Sequence, residues 1–461
     1  MPSRSAVLTL VLGTLLLVQL TGPSAMARTD GPTVDWPSYG FDQARSGYNP
    51  LETTLSTSTV GGLHPLWTAS IGGGDGQPLF ASGVTVGRAA LNIVYAAAIA
   101  GSVYAINAKN GRTVWKRDFG TIPTGCGAYG IDGTMVFDRT TNRLYVPTPY
   151  DKIIALDMST GATVPGWPVV VTADVDHEHI YSALTLWDAA IYVNVASYCD
   201  DSPYFGKIVR IDTTTATVAQ TWLVTGTSPP GGGIWGIAGD AVDPAAGALY
   251  TATGNAISSN QASGYAEHVV RLDSSLNVVD SNYPGLIGAD VDFGSTPMLY
   301  QAPGCLPQLV VPNKSGWLFV YDRDAIGAGP VQGLRVSKVG GTFQGVAAYD
   351  PVTNQVFIGN GAAYAPYPNG LLAFSVGADC QLTLTWKRRV ASPGVTGTPT
   401  VANGVVYWNE GSAGQTLAFD AATGAYLWGS EASGTRWAGP IVANGRVIAM
   451  DADVGLHAYG L

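Results

Sequence analysis

The chain has 461 residues, of which 59 are Gly, 28 are Pro and only 12% are charged, a composition typical of a turn-rich β protein. Its formal net charge of -10 argues against nucleic acid and anionic membranes as partners, because both are bound by clustered Lys and Arg. An anionic ligand would need a local basic group or a metal ion.

The first 27 residues have the pattern of a secretory signal peptide. Arg4 precedes an apolar run from Ala6 to Leu20, and Ala25-Met26-Ala27 is an A-x-A cleavage motif. No Cys follows the apolar run, which argues against a lipoprotein of the envelope-assembly type, and no later stretch approaches the ~20 apolar residues of a membrane span. We therefore expect residues 28–461 to form one secreted or periplasmic domain.

One pattern repeats eight times along this domain: a hydrophobic strand that ends in Asp, Asn or a small residue, followed by a short turn. These strands end at Asn107, Asp157, Asp212, Asp273, Asp322, Ser375, Asp420 and Gly460. Successive ends lie 40 residues (420 to 460) to 61 residues (212 to 273) apart, which is the length of one four-stranded propeller blade. The sequence therefore predicts an all-β, eight-bladed β-propeller with four-stranded antiparallel blades.

Each repeat contains four strands, A to D, except the last, which supplies only A, B and C between Trp437 and Gly460. An orphan strand at 63–71, with its own Trp67, stands at the other end of the chain. It can serve as the missing D strand and so close the ring, which removes the open sheet edges. The tryptophans that we expect on successive D strands are Trp115, Trp167, Trp222, Trp386 and Trp428.

The four cysteines sort by the face of the propeller on which their loops lie. The D-to-A and B-to-C connections share one face, and the A-to-B and C-to-D turns share the other. Cys126 and Cys199 fall in loops of the first kind, and Cys305 and Cys380 in loops of the second. Of three possible connectivities, only Cys126–Cys199 with Cys305–Cys380 keeps each pair on one face. Export favours disulfides, although one pair could also be free.

Several segments resemble the dehydrogenases that use pyrroloquinoline quinone (PQQ), in particular the polyvinyl alcohol dehydrogenase branch and its PQQ-like propeller relatives. The segments that carry this resemblance are 36–50, Gly231–Trp235, Thr253–Asn255, Val291–Gly294, Asn313–Gly316 and Val320–Arg323. A single blade motif is weak evidence, because non-enzymatic propellers share it. The ordered set is more specific and extends from about residue 36 to the C-terminus.

The resemblance implies a role for five side chains. Trp235 matches the aromatic residue on which the quinone stacks, and Lys314 matches the basic residue that contacts the quinone oxygens. Asn255 matches a residue that binds both the cofactor and a calcium ion, and Asp201 matches the acidic calcium ligand. Asp292 matches the catalytic base and a further metal ligand.

These roles imply an exported oxidoreductase that oxidises a small or polymeric alcohol with PQQ and Ca²⁺. No Cys-x-x-Cys-His motif for haem occurs, so electrons would pass to a separate acceptor. The residues support the same grouping without the resemblance, because all five lie in D-to-A loops, in B-to-C loops or at the end of a B strand, on one face.

Each of these residues also has an ordinary structural explanation. Trp235 could cap the central pore, and Asn255 could occupy a left-handed turn position. Asp290 and Asp292 could accept hydrogen bonds from neighbouring loop amides, and Lys314 could be a solvated hairpin residue. The coincidence of all five favours the site.

Three departures from the resembled family favour a different function. The vicinal cysteine pair that covers the quinone in many relatives is absent, with only Cys126 nearby. The Asn-Trp pair expected after Gly341 is replaced by Thr342-Phe343-Gln344, and Asp201 replaces a longer Glu. The alternative is therefore a cofactor-free propeller that acts as a binding or scaffold module.

The segment His177-Glu178-His179 is a second polar cluster. Its alternation could place two imidazoles on one side of a strand for a transition metal, but the sequence offers no third ligand. We expect it to form a polar rim of the propeller funnel instead.

Overall fold

The structure is a computed structural model and describes residues 1–2, 34–338, 345–390, 397–411, 414–431 and 438–461. Residues 3–27 of the predicted signal peptide and the segment Thr342–Gln344 lie outside these ranges. Within them, no helix has the length and apolar character that crossing a bilayer requires.

Eight blades, each with four antiparallel strands, confirm the predicted propeller, and one additional short strand joins the sheet of blade 7. In the order A to D, the strands of blade 1 are Leu79–Val86, Ala89–Ala97, Ser102–Asn107 and Thr113–Asp118, and those of blade 2 are Val136–Asp138, Arg143–Thr148, Lys152–Asp157 and Val169–Val170. Those of blade 3 are Thr185–Trp187, Ala190–Val195, Lys207–Asp212 and Thr217–Leu223, and those of blade 4 are Ala241–Asp243, Ala248–Ala252, Val269–Asp273 and Val278–Asn282. Those of blade 5 are Met298–Tyr300, Gln308–Pro312, Trp317–Asp322 and Gln332–Arg335, and those of blade 6 are Ala348–Asp350, Gln355–Asn360, Gly370–Val376 and Leu382–Arg389. Those of blade 7 are Thr400–Ala402, Val405–Glu410, Gln415–Asp420 and Tyr426–Gly429, and those of blade 8 are Ile441–Ala443, Arg446–Met450, Gly455–Gly460 and His64–Ser70.

Few other elements occur in the described residues. Strand Tyr48–Asn49 pairs in parallel with the A strand of blade 7, and Ile122–Thr124 forms a small hairpin with Gly127–Tyr129. Three short 3₁₀ turns cover Val60–Gly62, Tyr198–Asp200 and Ile326–Ala328.

The ring closes as the sequence predicts. His64–Ser70 pairs antiparallel with Gly455–Gly460 and becomes the D strand of blade 8. Because the N-terminal strand completes the C-terminal blade, the backbone groups along that edge find partners within the ring.

The repeated Asp at the end of each C strand has a local function. In blade 2 the Asp157 Oδ1 accepts hydrogen bonds from the backbone N–H groups of Ser159 and Thr160. In blade 3 Asp212 does the same for Thr214 and Thr215, both at 2.8 Å. A short acidic side chain thereby stabilises the tight C-to-D turn, which explains why the motif recurs once per blade.

Tryptophans on D strands join neighbouring blades. The indole N–H groups of Trp67, Trp115 and Trp386 donate to the carbonyls of Ala108, Met158 and Ala421 in the next blade. Their rings lie on glycines in that blade, where an added Cβ would come within 2.9 Å at Gly111, 2.8 Å at Gly161 and 2.6 Å at Gly424. Each glycine therefore permits close packing between blades.

Trp167 departs from this prediction. It lies just before the short D strand Val169–Val170 and packs on Tyr145 of its own blade, with ring centroids 5.3 Å apart. Only two residues of this D strand pair with Lys152 and Ile153, so the strand does not extend back to the tryptophan.

Residues 34–49 form hydrogen bonds with the inner A strands of all eight blades. Backbone hydrogen bonds join this segment to Phe80, Phe137, Val242, Leu299, Tyr349 and Val401, one residue in each of six A strands. Side chains of Gln43 and Asn49 reach blades 3 and 8. Buried Arg45 donates to the Asp240 carbonyl at 2.9 Å and to Thr185 Oγ1 at 2.6 Å. The segment thus links the blades through the centre of the ring.

Both predicted disulfides are present, and no cysteine is free. Cys126–Cys199 and Cys305–Cys380 have Cα–Cα distances of 6.0 and 5.7 Å. Each pair joins loops of one face, as the order of the strands predicts.

Candidate functional site

A cavity of about 290 Å³ lies on the face formed by D-to-A and B-to-C loops, and both Trp235 and Lys314 line it. Asp292 contacts Lys314 and is fully buried, and Asn255 follows the turn on which Trp235 packs. The structure therefore brings together four of the five side chains singled out by the sequence.

Trp235 owes its position to two glycines. A Cβ at Gly233 would lie 2.9 Å from the indole, and a Cβ at Gly254 would lie 2.6 Å from its Nε1. Neither position tolerates a side chain without displacing the ring. The B-to-C loop of blade 4 thus supports the indole directly and places Asn255 beside it.

Asp292 and Lys314 form a buried ion pair. Lys314 Nζ lies 2.9 Å from Asp292 Oδ1 and 2.8 Å from Oδ1 of the exposed Asp290. The Asn313 side chain donates to the Asp292 backbone carbonyl at 2.9 Å and fixes the loop. Apart from the Lys314 ammonium, the carboxylate oxygens of Asp292 have no hydrogen-bond partner among the described residues. Such a buried carboxylate is costly unless a ligand, metal ion or water completes it.

The same contacts set the protonation states. Burial raises the pKa of Asp292; Lys314 opposes this shift, and the charges of Asp290 and Asp200 add to it. Burial alone would lower the pKa of Lys314, but the two carboxylates outweigh it and raise the pKa. Lys314 therefore stays charged at neutral pH, and its charge favours ionised Asp292.

The acidic ligand predicted at Asp201 is not among the residues that line the cavity. A Cβ at Gly125 would lie 3.2 Å from Asp201 Oδ2, so this carboxylate faces the loop of Cys126. Its neighbour Asp200 lines the cavity instead and accepts a hydrogen bond of 2.7 Å from the Tyr204 hydroxyl. Among the described residues, no group of three His, Cys, Asp or Glu is arranged to hold a metal ion. A metal role for Asp201 stays a prediction.

Glu267 is a buried acid that the sequence reasoning missed. It lies in the same loop as Asn255, its backbone N–H donates to the Gly254 carbonyl, and the residue is 2% exposed. Its Oε1 has no hydrogen-bond partner among the described residues. Burial and the charge of Asp292 raise its pKa to about 7. The available signal was an acid two residues before the buried strand Val269–Asp273.

Five further residues line the cavity and form what we call the aromatic–acidic wall: Asp75, Tyr129, Asp132, Tyr181 and Tyr198. The rings of Tyr129 and Tyr198 stack at 4.3 Å. Asp132 is hydrogen-bonded to Tyr198, and burial followed by the charge of Asp75 raises its pKa to about 7. The sequence reasoning missed this wall because its members come from separate loops.

The Cys126–Cys199 disulfide also lines the cavity. Although the sequence lacks a vicinal cysteine pair, a disulfide between residues 73 positions apart lies in the same cavity as Trp235. The vicinal pair is absent, as the sequence shows, and the predicted Cys126–Cys199 disulfide brings two distant loops together at this cavity.

The segment His177–His179 does not form the predicted polar rim. Glu178 is buried and pairs with Lys207 at 2.5 Å, and buried His179 packs on Tyr198 with ring centroids 4.8 Å apart. Only His177 stays near the surface, beside Asp174. These three residues lie in a turn and an isolated bridge and not in a regular strand, so His177 and His179 do not share one face.

Comparisons with known proteins agree with this fold. A family model described as the glucose/ethanol/alcohol dehydrogenase β-propeller domain matches residues 36–194, and one described as outer membrane protein assembly factor BamB matches residues 381–460. A polyvinyl alcohol dehydrogenase from a Pseudomonas species is 24% identical over 425 residues. That match covers 77% of this chain but only 64% of the relative's own length.

Solved structures show the same architecture at low identity. Quinohemoprotein alcohol dehydrogenase from Comamonas testosteroni has a TM-score of 0.73 at 16% identity, covering 93% of this chain and 80% of that one. A europium-containing methanol dehydrogenase has a TM-score of 0.74 at 16% identity, covering 93% and 98%. BamB from Moraxella catarrhalis has a TM-score of 0.58 at 15% identity, covering 87% and 100%. The predicted resemblance to PQQ dehydrogenase propellers is thereby confirmed.

Proposed function

We propose that this protein is an exported, quinoprotein-like oxidoreductase that oxidises an alcohol-type substrate with PQQ and Ca²⁺. The observation that carries the proposal is the buried Asp292 carboxylate, which is ion-paired with Lys314 beside the ring of Trp235. The similarity to a polyvinyl alcohol dehydrogenase supports the reaction class. It leaves both small and polymeric alcohols as candidate substrates.

The residues at this end of the cavity fit the implied cofactor. Trp235 offers a flat ring on a glycine support, and the Lys314 ammonium lies 6.0 Å from the centre of that ring, where it could contact quinone oxygens. The oxygens of Asn255 and Asp292 suit Ca²⁺, which takes six to eight oxygen ligands. Since the described residues hold no larger acidic cluster, the ion would depend on oxygens from the quinone and water.

The chemistry divides between cofactor and protein. When bound, the quinone would supply the hydride acceptor and the metal ion would supply Lewis-acid polarisation. Asp292 removes the proton of the substrate hydroxyl as a general base. Lys314 favours the ionised form of Asp292 that this role requires, and Trp235 orients the ring system. A separate acceptor would take up the electrons.

The alternative of a cofactor-free binding module is favoured by one observation. The described cavity lining contains Asp75, Asp132 and Asp200 but only one cation, Lys314. The carboxylates of PQQ would meet like charge along the aromatic–acidic wall, which weakens anion binding.

Incubation of the purified protein with PQQ and Ca²⁺ separates the two functions. A quinoprotein should show a cofactor absorbance band and a Tm that rises with PQQ concentration, because a ligand at 100 times its Kd stabilises the fold by about 2.7 kcal/mol. Trp235→Ala should weaken PQQ binding by about 1 to 3 kcal/mol, whereas Trp222→Ala on an outer strand should not. An unchanged Tm at saturating PQQ would favour the binding module.

A further inference from the structure

We propose that Glu267 is a metal ligand and that its carboxylate, with the oxygens of Asp292 and Asn255, binds a divalent cation, for which Ca²⁺ is the probe. This inference rests on the metal site of the proposed function and deepens it, because it assigns the acidic ligand to a loop of blade 4 and not to Asp201 in blade 3. The position of Glu267, its backbone conformation and its unpaired side chain support the assignment.

Backbone hydrogen bonds hold Glu267 and Asp292 against the same turn of blade 4. The Glu267 N–H donates to the Gly254 carbonyl at 3.0 Å, and the N–H that follows Asp292 along the chain donates to the Thr253 carbonyl at 3.4 Å. Asn255 is the next residue of this turn. The two acids are close enough for the charge of Asp292 to raise the pKa of Glu267. Three oxygen-bearing side chains therefore meet at one turn.

The backbone of Glu267 adopts an unfavourable conformation. Its φ is +59°, in the left-handed region, where a residue with a Cβ is sterically disfavoured and glycine is not. The residue at this position is nevertheless a long acid. Backbone strain of this kind concentrates at ligand-binding and active sites, which favours a role for the carboxylate in binding.

The Glu267 carboxylate lacks the partner that a buried charge needs. The residue is 2% exposed, and its Oε1 has no hydrogen-bond partner in the described part of the chain. Buried Asp292 shares its ammonium partner, Lys314, with the exposed Asp290. When ionised, these three carboxylates and one ammonium carry a net charge of minus two, which one divalent cation neutralises. Because a buried carboxylate without a counter-charge is costly, both buried acids gain from a bound cation.

The available atoms suit a hard cation. Two carboxylates and the amide of Asn255 offer at most about five oxygens, and Ca²⁺ takes six to eight oxygen ligands. Soft nitrogen and sulfur ligands, which transition metals prefer, are not part of this set. Water can fill the remaining positions, so the ion does not require the quinone. Asp201, which faces the loop of Cys126, is then not required as a ligand.

Calcium titration of the purified protein, freed of metal with a chelator and kept without PQQ at pH 8, tests the proposal. We expect one Ca²⁺ per chain by isothermal titration and a Tm that rises with Ca²⁺ concentration. Glu267→Gln keeps the shape but removes the charge, and it should weaken Ca²⁺ binding at least about tenfold. No Ca²⁺ binding by the parent protein, or equal affinity in Glu267→Gln, would overturn the proposal. Since the assay contains no quinone, a failure of PQQ binding or of alcohol oxidation leaves its result intact.

Two further variants locate the ion. Asn255→Ala removes the amide oxygen and should weaken Ca²⁺ binding about 3- to 30-fold; an unchanged affinity would place the ion elsewhere. Asp132→Asn is the matched control, because Asp132 is also buried, also has an oxygen without a hydrogen-bond partner among the described residues, and lies in another loop. Its Ca²⁺ affinity should stay within about threefold of the parent. An equal loss in Asp132→Asn and Glu267→Gln would show that Ca²⁺ responds to total charge and not to Glu267.

Discussion

Asp292→Asn is the substitution that most directly tests the proposed chemistry. Asn keeps the shape of the side chain but cannot accept the substrate proton, so dye-linked alcohol oxidation should fall by the ~10² to 10⁴ typical of a lost general base, equivalent to about 2.7 to 5.5 kcal/mol in the barrier. Lys314 retains Asp290 at 2.8 Å and stays charged. PQQ binding, followed by absorbance and Tm, should therefore persist.

The matched control is Asp290→Asn. Both substitutions remove a carboxylate that contacts Lys314, but the Asp290 side chain is 73% exposed and that of Asp292 is 0% exposed. We expect Asp290→Asn to change turnover by less than about tenfold, since an exposed ion pair contributes about 1 kcal/mol or less. Full turnover in Asp292→Asn, or an equal loss in both variants, would refute the assignment of Asp292 as the base.

Other substitutions probe stability and the cofactor site. Burial raises the pKa of Asp132 from 3.8 to about 7, so its stabilising contribution is complete below pH 4 and is lost as the pH rises through 7. The Tm of Asp132→Asn should therefore rise relative to that of the parent protein between pH 5 and 8, by an amount equivalent to at most about 4 kcal/mol in unfolding free energy. A Tm difference that stays constant with pH would contradict this. Asp201→Glu restores the longer acid of the resembled family and should strengthen Ca²⁺ retention, measured by metal analysis after dialysis. If the cavity-lining Asp200 is the ligand instead, Asp200→Ala should weaken Ca²⁺ retention in the same assay. Trp115→Ala removes the indole that packs on Gly161 of the next blade and should cost about 3 to 5 kcal/mol in a denaturant titration; a loss below 1 kcal/mol would show that this contact is dispensable.

The sequence alone predicted the propeller, its eight blades, the closing strand and both disulfides. These features depend on local patterns that repeat: period-two hydrophobic strands and an acidic residue such as Asp157 that stabilises the turn after each C strand. Strand order then fixes which loops share a face, so the cysteines could be paired, and four site residues grouped, without coordinates.

Only the tertiary structure decided which side chains meet inside the cavity. The loop conformation places Asp200, and not its neighbour Asp201, in the cavity lining. No hydrophobic pattern in the sequence constrains the conformation of such a loop. Asp132, Tyr181 and Tyr198 come from loops of different blades, and the Cys126–Cys199 disulfide joins positions 73 residues apart. Side-chain direction in these loops follows from packing between blades, which local sequence does not encode.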